Sequence, residues 1–501
     1  MSTSIEAAST RTSHSMTWRW AGRVASPLVA LGLYFLIPAE LGPAGRWTCV
    51  LSVLMALLWI TEAMPLAATA LLPIVLFPVL GVLPLKETTA AYANDVIFLF
   101  MGGFILALGM EKWGLHRRIA LRVLTFAGST PRRLLGGFMA ASGFLTLWIS
   151  NTATTVMMLP IGVSLLKLVE QRAREEGGEA EVQRWAGFGP ALMLGIAWAS
   201  SLASLGTPIG TAPNLLLRGF VEKTYGREMP FGAWMLAAMP VAVLLVISGW
   251  AALSVLFLRD RALKVPGGAA LVREEMARLG PMNRGEQVVL VVFTATALAW
   301  IFRGPVTDWL GPSLPFLEHV TDTTIAMTGA LLLFAIPVDL RRGQSAMDWE
   351  TAGTFRWGVL LLFGGGLALA AALQKNGVDL WLGQQLLLLG SLPPWMLVVG
   401  VIAVMVLLTE ITSNTAVTAT FLPVLGGVAG ALDMDPLSLQ VPAAFAASCG
   451  FMLPVATPPN AIVFGSGFVT MRQMVKGGLV MDLISIVLLS LFAFTTLHFL
   501  R

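Results

Sequence analysis

The sequence predicts an all-α polytopic membrane fold built from two inverted repeats, with about eleven transmembrane helices and two re-entrant hairpins. Three observations carry that prediction. Of 501 residues, 56% are hydrophobic and 12% charged, and the mean hydropathy is +0.79, outside the range of soluble globular chains. The apolar residues come in runs long enough for helices to cross a ~30 Å hydrocarbon core, not in the short alternating segments of a barrel. And one polar triplet occurs twice within apolar sequence, as Ser150-Asn151-Thr152 and Ser413-Asn414-Thr415, 263 positions apart.

The repeat extends beyond the triplets at the same offset. Ala153, Thr155, Leu159 and Pro160 recur as Ala416, Thr418, Leu422 and Pro423. Upstream, Phe100, Gly102, Gly103, Ala107, Lys112 and Gly114 recur as Phe363, Gly365, Gly366, Ala370, Lys375 and Gly377.

The elements follow in order. Residues 1–25 are polar and basic, and the apolar run after them is too long and lacks a cleavage site, so they read as a retained cytoplasmic tail. The first half, 26–231, opens with spans near 27–43, 48–65, 67–84 and 95–111. Lys112, Arg117, Arg118, Arg122, Arg132 and Arg133 follow and place this connection in the cytoplasm. The block 134–169 carries the first triplet at its centre and basic residues at both flanks. Each half, at about 15 residues and roughly 22 Å of helix, is short of the bilayer core, so a hairpin entering and leaving on the cytoplasmic side fits better than one crossing. Two tightly packed short spans are the competing reading.

The stretch 185–217 is broken between Gly206 and Asn214 by two Pro and two Gly, which cannot continue a regular helix. A span near 233–258 and a charged amphipathic segment form the connector, 232–285. The second half, 286–501, contains spans near 286–304, 321–340 and 357–373, and a hairpin at 395–432 that carries the second triplet and has no Arg or Lys at either flank. A broken span, 441–467, interrupted between Ala456 and Asn460, and a final span, 480–500, complete the chain. An odd number of crossings separates Gly102 from Gly365, so the repeats run antiparallel. Arg218, Lys223 and Arg227 fall in a loop placed outside, against the charge bias.

Four polar breaks result, two hairpin tips and two interrupted helices. At such breaks helix starts expose N–H groups that favour an anion, and helix ends expose carbonyls that can coordinate a cation. No Arg or Lys lies in or beside them. A duplicated membrane unit with polar breaks at corresponding places points to a secondary transporter. Glu410, three residues before Ser413, either carries a proton or braces the hairpin; Glu62 lies near an inner helix end, and Asp95 and Glu111 fall at interfaces. Cys49 and Cys449 read as buried thiols.

On these paired triplets and breaks the chain, from about Trp47 onward, resembles the divalent anion/sodium symporters. The resemblance implies a homodimer in the inner (plasma) membrane, amino terminus cytoplasmic, with a scaffold domain and a transport domain that moves as an elevator. It implies one sodium site from Thr146, Ser150, Asn151 and Gly206, and a second from Thr409, Thr412, Asn414 and Ala456. Asn151, Thr152, Ser413, Asn414, Thr415, Thr457 and Pro458 would contact the substrate carboxylates. Sodium-coupled uptake of a C4-dicarboxylate is the expected activity; a sulfate symporter or a sodium-independent dicarboxylate exchanger of the same fold is the alternative. No nucleic-acid partner is expected. An intramembrane enzyme is disfavoured, because His14, His116, His319 and His498 all lie far in sequence from either triplet and Ser150 and Ser413 lack a positioned base. A passive channel would show a continuous polar stripe in place of four breaks.

Overall fold

The computed structural model describes residues 20, 22–258, 268–355, 357–379, 381 and 393–495. Most of the basic tail, part of the connector at 259–267 and the end of the last span lie outside the described residues, as do His14, Arg356 and His498.

The first half contains α1 (Gly22–Leu36), α2 (Gly42–Ile60), α3 (Leu72–Val79), α4 (Asp95–Lys112), α5 (Leu115–Leu124), α6 (Pro131–Thr146), α7 (Asn151–Trp185), α8 (Phe188–Ala203) and α9 (Ala212–Tyr225). The connector holds α10 (Phe231–Leu256) and α11 (Gly268–Arg278). The second half contains α12 (Arg284–Leu310), α13 (Asp322–Ala335), α14 (Trp357–Lys375), α15 (Pro394–Ile411), α16 (Asn414–Ala431), α17 (Leu437–Ala446), α18 (Pro458–Gly465) and α19 (Met471–Thr495). A two-stranded antiparallel ribbon, Pro337–Asp339 with Gln344–Ser345, follows α13.

Among the described residues, ten helical segments are long and apolar enough to cross a membrane. Four apolar helices are shorter: Gly22–Leu36, Leu66–Val79, Asp322–Ala335 and Leu437–Ala446. The chain is a multi-pass membrane protein in which some expected spans are divided. At its centre lies α8, all sixteen residues of which are buried.

Matched ends reveal the repeat. Both α4 and α14 finish in lysine, and two residues on stands a left-handed glycine, Gly114 (φ 71°) or Gly377 (φ 65°). A cation at the negative helix end and a residue without a Cβ are suited to that termination. The equivalent Phe100 and Phe363 rings meet with centroids 4.7 Å apart, so the repeats touch there. Gly102 and Gly365 admit neighbouring backbone: a Cβ would lie 2.7 Å from Ala326 C and 2.5 Å from Ala70 O, respectively. The hairpins also correspond. α6 and α15 both start at proline, a residue suited to the first helical turn, and turn over at 147–150 and 412–413.

Two expectations change. The arm after the first triplet does not stop near 169, because the charged stretch beyond it stays helical, with pairs such as Arg174 to Glu170 at 2.9 Å. Its regular course is interrupted only at Gly178 (φ 64°). Arg218 and Lys223 are not in a loop but within α9. Arg218 is buried and paired with Asp322 at 2.8 Å, and Asp322 is also 3.2 Å from Arg303, so this positive charge is neutralised inside the protein. Arg227 pairs with Asp435 at 3.0 Å. These partners explain why Arg218 and Arg227 depart from the charge bias.

Candidate functional site

The four breaks converge on one cleft of about 1010 Å³. Its walls include the starts of four helices: α7 at Asn151 and Thr152, α16 at Asn414 and Thr415, α9 at Ala212 and Pro213, and α18 at Pro458. Each helix start carries the positive end of its dipole, and α7, α9 and α16 also have unpaired N–H groups in their first turns, whereas α18 opens with Pro458 and Pro459, which have no N–H, and its Asn460 N–H is capped by Thr457 Oγ1 at 3.2 Å. No Lys, Arg or His lines the cleft among the described residues. Phe104 and Phe355, with centroids 4.7 Å apart, form part of the opposite wall, and Glu62 and Glu111 stand where the cleft reaches the basic end of α4.

Of the residues expected at the site, Ser150, Asn151, Thr152, Thr412, Ser413, Asn414, Thr415, Ala456, Thr457 and Pro458 all line this cleft. Thr146, Gly206 and Thr409 do not; they are buried behind it, near helix ends. Thr146 Oγ1 donates to Ser200 O at 2.8 Å. Its equivalent, Thr409, has Oγ1 2.7 Å from Ala447 O and 2.6 Å from Asn414 Oδ1, so one proton is offered two acceptors.

Local hydrogen bonds shape the tips, with a side-chain cap at Ser150 that Ser413 lacks and one threonine bond common to both. Ser150 caps α7 by accepting from Ala153 N at 3.2 Å. Thr155 Oγ1 donates to Asn151 O, and Thr418 Oγ1 to Asn414 O, both at 2.8 Å.

The broken helices are clamped by two asparagines outside the expected set. Asn214 Nδ2 lies 3.1 Å from Ser204 O and 2.9 Å from Thr207 O. Asn460 Nδ2 lies 3.1 Å from both Gly450 O and Leu453 O. Both asparagines are fully buried. The separation of Asn214 from Asn460 is 246 positions, and the carbonyls they hold match at that offset, Ser204 with Gly450 and Thr207 with Leu453. By this register Ala456 corresponds to Gly210 and not to Gly206.

Tip and break are tied differently in the two halves. In the first, Thr207 Oγ1 donates to Leu147 O at 2.7 Å. In the second, the position equivalent to Leu147 is Glu410, whose Oε1 accepts from Phe451 N at 2.5 Å and Met452 N at 2.9 Å, and whose Oε2 accepts from Leu453 N at 2.9 Å. Of the two roles weighed for Glu410, this geometry is the brace. Glu62 adopts a left-handed conformation (φ 47°). Both cysteines are buried free thiols. Three buried acids, Glu286, Asp322 and Asp482, escaped the sequence reading, although a lone carboxylate in an apolar span, as at Asp482, is itself a signal.

Comparison with known proteins gives a consistent result. Residues 18–500 match the family model described as the sodium:sulfate symporter transmembrane region. A sodium-dependent dicarboxylate transporter, SdcS, of Staphylococcus saprophyticus is 41% identical over 472 residues, covering 94% of this chain and 90% of that protein. SdcS of Staphylococcus aureus is 39% identical, covering 94% and 89%. The crystal structure of the Alcanivorax borkumensis YdaH transporter superimposes with a TM-score of 0.52 at 15% identity, over 81% of this chain and 86% of the other, a likeness of fold.

Proposed function

The chain belongs to the sodium:sulfate symporter transmembrane family, and from that membership we infer a secondary active transporter that carries a C4-dicarboxylate such as succinate, malate or fumarate together with sodium ions. The observation that carries the reading is the convergence of four helix N-termini on a cleft with no basic side chain among the described residues. Backbone N–H groups and the hydroxyl and amide groups of Asn151, Thr152, Ser413, Asn414, Thr415 and Thr457 can hold two carboxylates, with Pro458 shaping the pocket. Dipoles alone leave the double negative charge uncompensated, so cations bound beside it complete the balance and make anion affinity depend on sodium.

The helix ends behind the cleft supply oxygens for those cations. Thr146, Ser150, Asn151 and Gly206 would serve one sodium, and Thr409, Thr412, Asn414 and Ala456 the other, through side-chain and main-chain oxygens. We further read both helix–turn–helix units as re-entrant, entering from opposite sides, because the first is flanked by basic residues at both ends and the second by none. The chain would sit in the inner (plasma) membrane as a homodimer, amino terminus in the cytoplasm, and move its tips and breaks as an elevator against a fixed scaffold.

Uptake by proteoliposomes of labelled succinate or sulfate, with sodium present or replaced by choline, tests the reading. Succinate uptake that requires sodium is expected. Uptake unchanged in choline rejects symport, and sulfate uptake without succinate uptake reassigns the anion. Asn151→Ala and Asn414→Ala should each abolish uptake; normal affinity in both would reject the site assignment.

A further inference from the structure

Behind the second helix break lies a group of buried polar atoms that the cleft does not use. α19 presses directly on the break at Gly478, where a Cβ would stand 2.3 Å from Phe451 O and 2.4 Å from Met452 N. One turn further, Asp482 is 3% exposed and faces the Glu410 carboxyl. Neither Asp482 oxygen receives a well-formed hydrogen bond: the N–H that faces it, Phe451 N, already donates to Glu410 Oε1 at 2.5 Å. Ser485, three residues on along the same helix face, is fully buried, and its Oγ makes no well-formed hydrogen bond beyond the weak thiol beside it. The Cys449 thiol faces Ser485 and the same space. Asp482 and Glu410 make no ion pair among the described residues.

A buried carboxylate with no donor of its own and no cation costs several kcal/mol, more than a lost hydrogen bond. Glu410 cannot relieve it, since its oxygens already accept three backbone N–H groups. A single proton between the two carboxyls would satisfy one contact and leave the other Asp482 oxygen with only a share of the Phe451 N–H and Ser485 Oγ with only the weak Cys449 thiol. A hard metal cation, which takes several oxygen ligands at once, would engage all three atoms.

We propose that Asp482 and Ser485, with the Glu410 carboxylate beside them, form a sodium position distinct from the two at the hairpin tips. The proposal rests on the sodium-coupled reading above. It places a cargo ion between α19 and the break that Glu410 braces, so filling it would stiffen the loop that presents Ala456 and Thr457 to the cleft.

Radioactive sodium bound at equilibrium by the purified full-length protein, counted per protomer, tests it alongside sodium-dependent succinate uptake. Asp482→Asn should bind one sodium fewer than wild type and lower the steepness of the sodium dependence. Ser485→Ala, which removes only a neutral ligand and guards against misfolding of the first variant, should raise the half-saturating sodium concentration roughly ten-fold. An unchanged sodium count in Asp482→Asn, or unchanged sodium affinity in Ser485→Ala, overturns the site. Loss of proton cotransport with the sodium count intact also overturns it, in favour of a proton. Wild-type uptake that ignores sodium would instead defeat the symport reading itself, before any variant is compared.

Discussion

Asn214 and Asn460 occupy the same structural position in the two halves, each fully buried with its amide nitrogen donating across a helix break to matched carbonyls. The clamp ties together two helix ends that would otherwise expose unpaired backbone in hydrocarbon. Replacing Asn460 by alanine strands the carbonyl of Gly450, at a cost of about 1–3 kcal/mol, and leaves Leu453 O with only the Ala456 N–H at 3.2 Å. The expected result is a lower Tm and loss of succinate uptake, with Asn460→Asp no better, because a carboxylate offers acceptors where donors are needed. Thermal unfolding of the purified variants checks this; an unchanged Tm would show that the clamp is dispensable.

The hairpin tips were legible because the repeat is written at a constant offset of 263, and structural equivalents such as Phe100 with Phe363 and Pro131 with Pro394 keep it. The clamp was not, because the offset changes from 263 at Asn151 and Asn414 to 246 at Asn214 and Asn460. The first half carries 17 additional residues between tip and break, in the charged extension of α7, so a search at one spacing pairs Gly206 with the wrong partner. The charge bias does not hold at Arg218, whose partner Asp322 is 104 positions away and reaches it only through the fold. The far end of α7 was illegible for another reason: helical ion pairs look in sequence like a solvated loop.

Gly210 and Gly450 show how the register can be tested. The chain crosses itself within each break, Ser204 against Gly210 in the first and Gly450 against Ala456 in the second, with glycine on opposite sides of the crossing. A Cβ at Gly210 would stand 2.2 Å from Ser204 O, a contact only backbone movement can relieve. Gly210→Ala should therefore abolish uptake. The smallest contact at Gly450 is 3.0 Å, to the Thr409 methyl, so Gly450→Ala should keep measurable uptake with weaker sodium affinity. Sodium titrations of succinate uptake distinguish the two, and full activity in Gly210→Ala would refute the crossing.

Glu410→Gln separates bracing from proton carriage. The substituted amide turns a donor toward at least one of the N–H groups of Phe451, Met452 and Leu453, leaving it unsatisfied at about 1–3 kcal/mol. A brace predicts loss of both net uptake and succinate exchange, together with a lower Tm. A proton carrier predicts that exchange survives while the response to a pH gradient disappears. Counterflow measurements on the variant decide, and robust exchange would remove the bracing role.

The pH response of the opposite end of the molecule is set by Glu222, near the end of α9, and Asp95, at the start of α4. Burial, and then the adjacent Asp95 carboxyl, push Glu222 up to about 7, against a smaller opposing pull from Arg218; Glu228 adds to the rise. The folded protein therefore holds a proton that the unfolded chain releases at the ordinary glutamate value near 4.5. Bound protons favour the folded state over that interval, so this contribution is complete below about pH 4.5 and is lost as pH rises through about 7. Glu222→Gln mimics the protonated form and keeps a donor for Asp95, so its stability should not show this decline. Tm measured from about pH 5 to about pH 8 should fall more steeply for wild type than for Glu222→Gln, and parallel curves would show that the two carboxyls do not share a proton across α4 and α9.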